Sequence, residues 1–393
     1  MQSNVTPVLL GADLNCYSMA RAFHEAYGVI SHAFGKCKLG AMKYSSIIKF
    51  HKIPPLDQKE QILNALIDFA KNRDDKPYIF GCTDEYALFI IENKAVLSKY
   101  FACPSPSACV AQKYSDKTLF YEKCDELFLP HPKTVVVPTP DDAYLLGSLP
   151  FDYPVIIKPA CSHEYWHHPF DNMRKVYVAH YRADGERIIS DIFESGYGKN
   201  ILIQEKVNYT YQYVATCLSE KGKITAACVG RVLLGEITPK GLGNHVAIIT
   251  EKNDEVFDMV ESFLSSVQYD GFSNFDILRD DNTGKYYLLE INLRQGRSNY
   301  YMSAAGMNLA RLAVEGYDGA SLCENEIFWH SVPTKIVLDR CSEADGEKIR
   351  SLISSNRAFS SLEYKADMKS PLRLAYLAVH NAGFYRKYRA DDE

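Results

Sequence analysis

Over its first hundred residues the chain alternates short apolar runs with segments of helical spacing. Residues 5–10 form an apolar run that stops at Gly11-Ala12-Asp13-Leu14-Asn15, and residues 18–27 then carry helical character. Residues 47–50 read as a strand, residues 58–71 as a helix, and Tyr78-Ile79-Phe80-Gly81-Cys82 as another strand. This rhythm predicts an α/β unit, a doubly wound parallel sheet with helices on both faces. Ligands of such sheets gather at the carboxyl ends of the strands, where Gly11-Ala12-Asp13 and Cys82-Thr83-Asp84 would lie. A helix N-cap accounts for Asp13 or Asn15 equally well.

Pro104-Ser105-Pro106-Ser107 punctuates the chain, and an α+β pattern follows. It predicts a helix over residues 107–123, a turn at Pro130-His131-Pro132 entering a strand, and a strand over residues 153–160. A helix over residues 187–195 and a strand over residues 200–207 complete this small unit. A larger one, residues 213–317, holds several strands, a helix over residues 255–267 and a hairpin. Residues 370–389 mix apolar positions with Arg373, Arg386, Lys387 and Arg389, a basic helix that docks on the protein or rests on anionic lipid. Asp391-Asp392-Glu393 offsets its charge.

Composition narrows the classes. The chain has 393 residues, 24% charged and 47% apolar, with a formal net charge of −5. These are globular proportions, and at about 100–200 residues per domain two or three domains are expected. The mild negative balance argues against a nucleic-acid partner, which needs a basic face for phosphate. No apolar run approaches the ~20 residues of an integral membrane helix, and no basic region with an apolar core marks a secretory leader. The 11 cysteines are scattered and never spaced C-x-x-C, as expected of reduced thiols in a cytoplasmic protein. The pattern leaves the oligomeric state unspecified.

The chemistry concentrates in Phe275-Asp276-Ile277-Leu278 and Leu288-Leu289-Glu290-Ile291-Asn292-Leu293-Arg294-Gln295-Gly296-Arg297. The polar residues 279–285 between them read as a hairpin connection. Strand alternation then sends Glu290 and Asn292 to one face and Ile291 and Leu293 to the other. Two carboxylates and an amide oxygen at a strand end suit Mg²⁺, which takes oxygen ligands and leaves positions for nucleotide phosphates. Arg294 and Arg297 add cationic forks for phosphate or carboxylate. The plainer reading is a solvated hairpin end, but an apolar strand that delivers a charge needs a partner for it.

A triphosphate needs more countercharge than one ion supplies, and Lys117 and Lys158 are the candidate point charges. Pro159 holds Lys158 in an extended backbone. Gln204-Glu205-Lys206-Val207 leaves one unit for the next, so its backbone could pair with an adenine edge, or it is simply an interdomain strand.

The order of these motifs resembles that of the ATP-grasp ligases: Asp116-Lys117, Val155-Ile156-Ile157-Lys158-Pro159, Gln204-Glu205-Lys206-Val207, Asp276, and Glu290 through Arg297. The chain is most similar to the D-aspartate ligases of peptidoglycan cross-bridge synthesis. Those share the opening Gly11-x-Asp13-x-Asn15-x-Tyr17-x-Met19-Ala20-Arg21, the strand Gly271-Phe272-x-Asn274-Phe275-Asp276 and the stretch from Glu290 to Ser298. The resemblance runs over residues 8–317 and more faintly beyond. It implies an ATP-grasp fold: an N-terminal α/β domain in residues 1–106, a small lobe or lid in 107–204, a large lobe with the metal site in 205–318, and an extension in 319–393.

It also implies roles. Lys117 and Lys158 would contact ATP phosphates, Gln204, Glu205, Lys206 and Val207 would line the adenine site, and Asp276, Glu290 and Asn292 would hold Mg²⁺, with Mn²⁺ as the alternative ion. Arg294 and Arg297 would lie beside the γ-phosphate and the carboxylate it activates, with Asp13, Asn15 and Asp84 helping to hold the amino acid or acceptor. The reaction would convert the side-chain carboxylate of D-aspartate into an acyl phosphate and pass it to the lysine amine of a UDP-muramyl peptide. Two departures stand out: Asn208-Tyr209-Thr210-Tyr211 replaces the Pro-Gly and acid that often follow the hinge, and residues 160–166 lack a glycine-rich character. His163, His167, His168 and His245 are candidate bases. The rivals are an ATP-grasp ligase for other substrates and a non-catalytic nucleotide-binding protein.

Overall fold

The computed structural model describes residues 5–238, 241, 243–316, 319 and 321–390, and its strands fall into three sheets. The expected boundary at residue 318 and the acidic Asp391-Asp392-Glu393 lie outside the described residues.

The first sheet joins β1 (Pro7–Leu10), β2 (Ser31–Gly35), β3 (Ile48–Lys52) and β4 (Tyr78–Gly81) in the order β3-β2-β1-β4, all parallel. Alternation explains its two covered faces: Leu9 joins a core with the helix Leu14–Tyr27, and Val8 and Leu10 join another with the helix Lys59–Lys71. The strand order reverses between β1 and β4, so their carboxyl ends open a crevice, as the alternating pattern predicts. Gly11 turns the chain there at φ +141, and a Cβ on it would meet that of Cys82 at 2.9 Å.

The second sheet is antiparallel, β5 (Thr134–Val137), β6 (Val155–Pro159), β7 (Tyr177–Ala179) and β8 (Ile201–Glu205), in the order β5-β8-β6-β7. Ile188, Ile189 and Ile192 of the helix Arg182–Glu194 pack on its inner face against Val155, Ile157 and Ile203.

The third sheet has seven strands: β9 (Gln212–Glu220), β10 (Lys223–Gly235), β11 (His245–Thr250), β12 (Gly271–Arg279), β13 (Tyr286–Asn292), β14 (Phe328–His330) and β15 (Ala358–Ser360). One face packs on the helix Asp254–Ser266 through Phe275, Ile277 and Phe263. The other carries Val214, Leu218 and Phe272 into the core that holds the helix Leu14–Tyr27. The large sheet and the first domain are therefore one continuous body. The C-terminal residues add β14 and β15 to this sheet, so it extends beyond residue 318.

The expected single helix over residues 107–123 is two helices, Ala108–Tyr114 and Lys117–Glu126. Asp116 breaks the run by capping the second, its carboxylate accepting from the Thr118 N–H at 2.7 Å. Residues 371–390 do form a helix, and among the described residues no helix is long and apolar enough to cross a membrane.

Candidate functional site

The hairpin β12–β13 builds the floor of a cleft of about 380 Å³. Phe275, Ile277, Leu288 and Ile291 go into the core, which turns Asp276 and Glu290 outward as directly paired residues, with Asn292 opposite Asn274. The register shifts between Asp276 and Ile277, so Leu289 is an extra residue in β13. That bulge lets Leu288 and Ile291 face the core together while Glu290 and Asn292 share the cleft. The amide Nδ2 of Asn292 lies 3.2 Å from Asp276 Oδ2, and a half-turn of the amide would present its oxygen instead.

Electrostatics at this floor favour a cation. Burial and then the charge of Glu290 push the Asp276 carboxyl up to about 7. Burial works against ionisation of Glu290 too, but Lys117 and Lys175 outweigh it and hold its carboxyl well below the usual range. Among the described residues no group of three His, Cys, Asp or Glu gathers for a metal, so the donor set is two carboxylates and an amide. Hard oxygen donors with few protein contacts fit Mg²⁺.

Lys117 reaches Glu290 Oε2 at 2.7 Å and Ser162 Oγ at 3.0 Å, positioned because its backbone N–H donates to the Ala160 carbonyl at 3.0 Å. Lys158 is turned off the core face of β6, since Val155 and Ile157 occupy it. Its ammonium donates to the Tyr121 hydroxyl at 3.0 Å, and burial lowers its pKa to about 8 against the pull of Glu290. The Tyr121 hydroxyl donates to the Leu289 carbonyl at 2.5 Å, which ties Lys158 to the hairpin, and Gln204 near the end of β8 donates to Thr134 Oγ1 at 2.7 Å. There Glu205 is tied to Lys133, its N–H donating to Lys133 O at 3.0 Å and its Oε1 accepting from Lys133 N at 2.9 Å. Gln204, Glu205, Lys206 and Val207 do not line the cleft over the hairpin; they sit at the crossing between sheets, Lys206 exposed. Ile203 is buried in the small-sheet core and is not free to flank a base.

The other wall belongs to the arginine segment and the first domain. Arg294 Nε lies 2.8 Å from Asp84 Oδ1, and Nη1 of Arg297 is buried without a hydrogen-bond partner among the described residues. Gly296 is required sterically, since a Cβ would overlap the side-chain amide of Asn274. Asp13 caps its helix, accepting from Cys16 N at 3.2 Å, and burial raises its carboxyl against the opposing charges of Arg297 and Arg294. Asn15 is fully buried and fully engaged: it donates to Gln295 O at 3.0 Å and accepts from Gln295 at 3.1 Å and Asn299 at 2.7 Å. It therefore fastens the arginine segment to the first domain, in place of the ligand contact expected for it.

Lys117, Asp276, Glu290, Asn292, Arg294 and Arg297 thus share one cleft. Sequence reasoning missed Lys175, 3.1 Å from Glu290 Oε1, and Tyr121. A lysine in an irregular loop and a tyrosine on a helix carry no periodic signal. Among the histidines, His163 and His245 line the cleft; burial, with the charges of Lys175 and Arg297, lowers His245 to about 4 and keeps it neutral.

No family model matches the chain. A D-aspartate ligase from Enterococcus faecium is 33% identical over 404 residues, spanning 97% of this chain and 96% of that protein. An L-amino acid ligase from Bacillus licheniformis superposes with a TM-score of 0.58 at 12% identity, over 80% of this chain and 74% of that one. The biotin carboxylase domain of the Hydrogenobacter thermophilus 2-oxoglutarate carboxylase, solved with MgADP and bicarbonate, gives 0.61 at 13% identity over 82% and 73%. At such identities the two solved structures speak to the fold alone.

Proposed function

The chain belongs to the D-aspartate ligase family and has the ATP-grasp fold, and from that premise we propose that it joins D-aspartate to the lysine side chain of a UDP-linked muramyl peptide. The coarser activity follows from membership: an ATP-dependent ligase that couples a carboxylate to an amine through a C–N bond. The substrate reading is supported by the 33% identity over nearly the whole chain, and the catalytic reading by the meeting of Asp276, Glu290 and Asn292 with Lys117, Arg294 and Arg297 on a single cleft.

In this reading Lys117 and Lys158 neutralise the ATP phosphates, and the backbone of Lys206 and Val207 faces the adenine. Asp276, Glu290 and Asn292 would hold Mg²⁺, which when bound draws charge from the β- and γ-phosphates; nothing observed favours Mn²⁺. Arg294 and Arg297 orient the carboxylate of the amino acid, while Asp84 and Asp13 suit its ammonium. The side-chain carboxylate attacks the γ-phosphorus, ADP leaves, and an acyl phosphate remains. The acceptor amine then attacks the activated carbonyl and phosphate departs. Preorganised cations stabilise charge that develops in both steps.

On the same reading residues 1–106 hold the amino acid, 107–204 cover the nucleotide, 205–318 carry the metal, and the enzyme works in the cytoplasm on a nucleotide-linked precursor. The test is phosphate release with the muramyl peptide and a panel of amino acids. D-aspartate is expected to exceed L-aspartate and D-alanine by about tenfold or more. Equal turnover of all three would remove the substrate assignment and leave the ligase. Glu290→Gln is expected to lower turnover by about 100-fold or more while the fold, followed by circular dichroism, persists.

A further inference from the structure

Lys175 stands on the segment between the short helix Ser162–Tyr165 and β7, and that segment is pinned at its neighbour. The Tyr165 hydroxyl donates to the Arg174 carbonyl at 3.0 Å, the Arg174 N–H donates to the Tyr177 hydroxyl at 2.8 Å, and the two phenols lie 2.8 Å apart. With both backbone groups of Arg174 fixed, the next side chain is carried into the cleft. There its ammonium lies 3.1 Å from Glu290 Oε1, while Lys117 takes Oε2 at 2.7 Å. Gly243 faces the ammonium from the opposite wall, and a Cβ built there would stand 3.8 Å from it.

We propose that Lys175 is an exchangeable counter-ion: it stands in for the divalent cation on Glu290 while the site is empty, and moves to the terminal phosphate when Mg²⁺ and ATP arrive. The inference rests on the reading of Asp276, Glu290 and Asn292 as the metal set. The Glu290 carboxylate, paired with Asp276 across the hairpin, already holds the ammonium groups of Lys117 and Lys175, and a divalent cation on it must displace positive charge already there. A lysine suits this exchange because its ammonium is a compact point charge on a flexible stem. Asp276 and Asp84 also face this ammonium, and phosphates entering the cleft would add more negative charge within reach of its flexible stem.

The test separates the two halves of the exchange by binding alone. With nucleotide-free protein, Lys175→Met is expected to tighten Mg²⁺ about tenfold by calorimetry, because a competing charge is gone. The same variant is expected to weaken a non-hydrolysable ATP analogue about tenfold, the value of a charge-assisted hydrogen bond, and to leave ADP nearly unchanged. Lys175→Arg should bind the analogue close to the wild type. Shifts in one direction for both ligands, or no shift for either, overturn the proposal, as does a shift confined to one of them. A measurement on the wild type guards against a variant that fails to fold: acylation of Lys175, read by mass spectrometry, should rise with Mg²⁺ alone and fall when the analogue is added. Labelling indifferent to both ligands overturns the exchange. Wild-type protein that binds neither Mg²⁺ nor the analogue removes the metal-site reading itself, a distinguishable result.

Discussion

At Lys158 burial and charge pull in opposite directions, and the balance makes a prediction about single groups. The residue is 8% exposed and its pKa falls to about 8, so its ammonium is protonated near neutrality and neutral in mild alkali. Only the protonated form pairs with phosphate, so ATP affinity is expected to drop as pH rises from about 7 to about 9. Lys158→Arg should flatten that profile and Lys158→Met should bind weakly throughout, both read by calorimetry; a profile unchanged by the arginine would place the titration elsewhere. Asp276, Glu290 and Asn292 were legible in the sequence because alternation along two strands joined by a short polar turn fixes which face each residue takes. The bulge at Leu289 was not legible, and neither was Lys175, whose position depends on tyrosines 10 and 2 residues away meeting across a loop. Asn15 follows a strand end, where a helix cap and a ligand contact are equally expected. Nothing local announces that its partners lie 280 and 284 residues further along.

Among elements, the β2–β3 pair carries a titratable feature. His32 Nδ1 lies 2.9 Å from His51 Nε2 with the rings stacked at 5.1 Å, and Phe34 stacks on His51 at 4.5 Å. Burial, and then the charge His51 would bear, lower His32 to about 4; burial, and then Lys49, lower His51. The unfolded chain therefore takes up protons that the fold refuses between about 6.5 and about 4. Stability from this pair is intact above that window and declines as pH falls through it. The midpoint of thermal unfolding should fall on acidification over this range, and less steeply in His32→Gln; equal slopes would show that other groups dominate. The alternating pattern predicted the parallel sheet, yet β2 escaped it, since Ser31-His32-Ala33-Phe34-Gly35 is short and interrupted by polar residues. The helix break at Ser115-Asp116 escaped too, because the capping acid sits inside a run of otherwise helical spacing.

On the scale of the whole molecule, the C-terminal residues close the structure instead of trailing from it. Asp367 and Arg373 form an ion pair at 3.5 Å with both side chains fully buried. Asp367 also accepts from the Tyr17 hydroxyl at 2.9 Å and the Ser46 N–H at 2.6 Å, and Arg373 donates to the carbonyls of Ala41 and Lys43 at 2.7 and 2.8 Å. Asp367→Ala would leave a buried cation without its partner and should cost about 3–5 kcal/mol in urea unfolding. The double change to Asp367→Leu with Arg373→Met should cost less than that single one. A loss below 1 kcal/mol for the single change, where surface pairs typically fall, would show that the pair is solvated. This clasp was illegible beforehand, since Asp367 and Arg373 meet partners in the first domain that lie more than 300 residues earlier. The knot of Asn15 with Gln295 and Asn299 has a bearing on enzyme engineering. A chimera that receives its opening hundred residues from a ligase of different preference would inherit half of a lock. Recombination that transplants residues 295–299 together with the donor's first helix should yield active hybrids far more often than exchange of either piece alone.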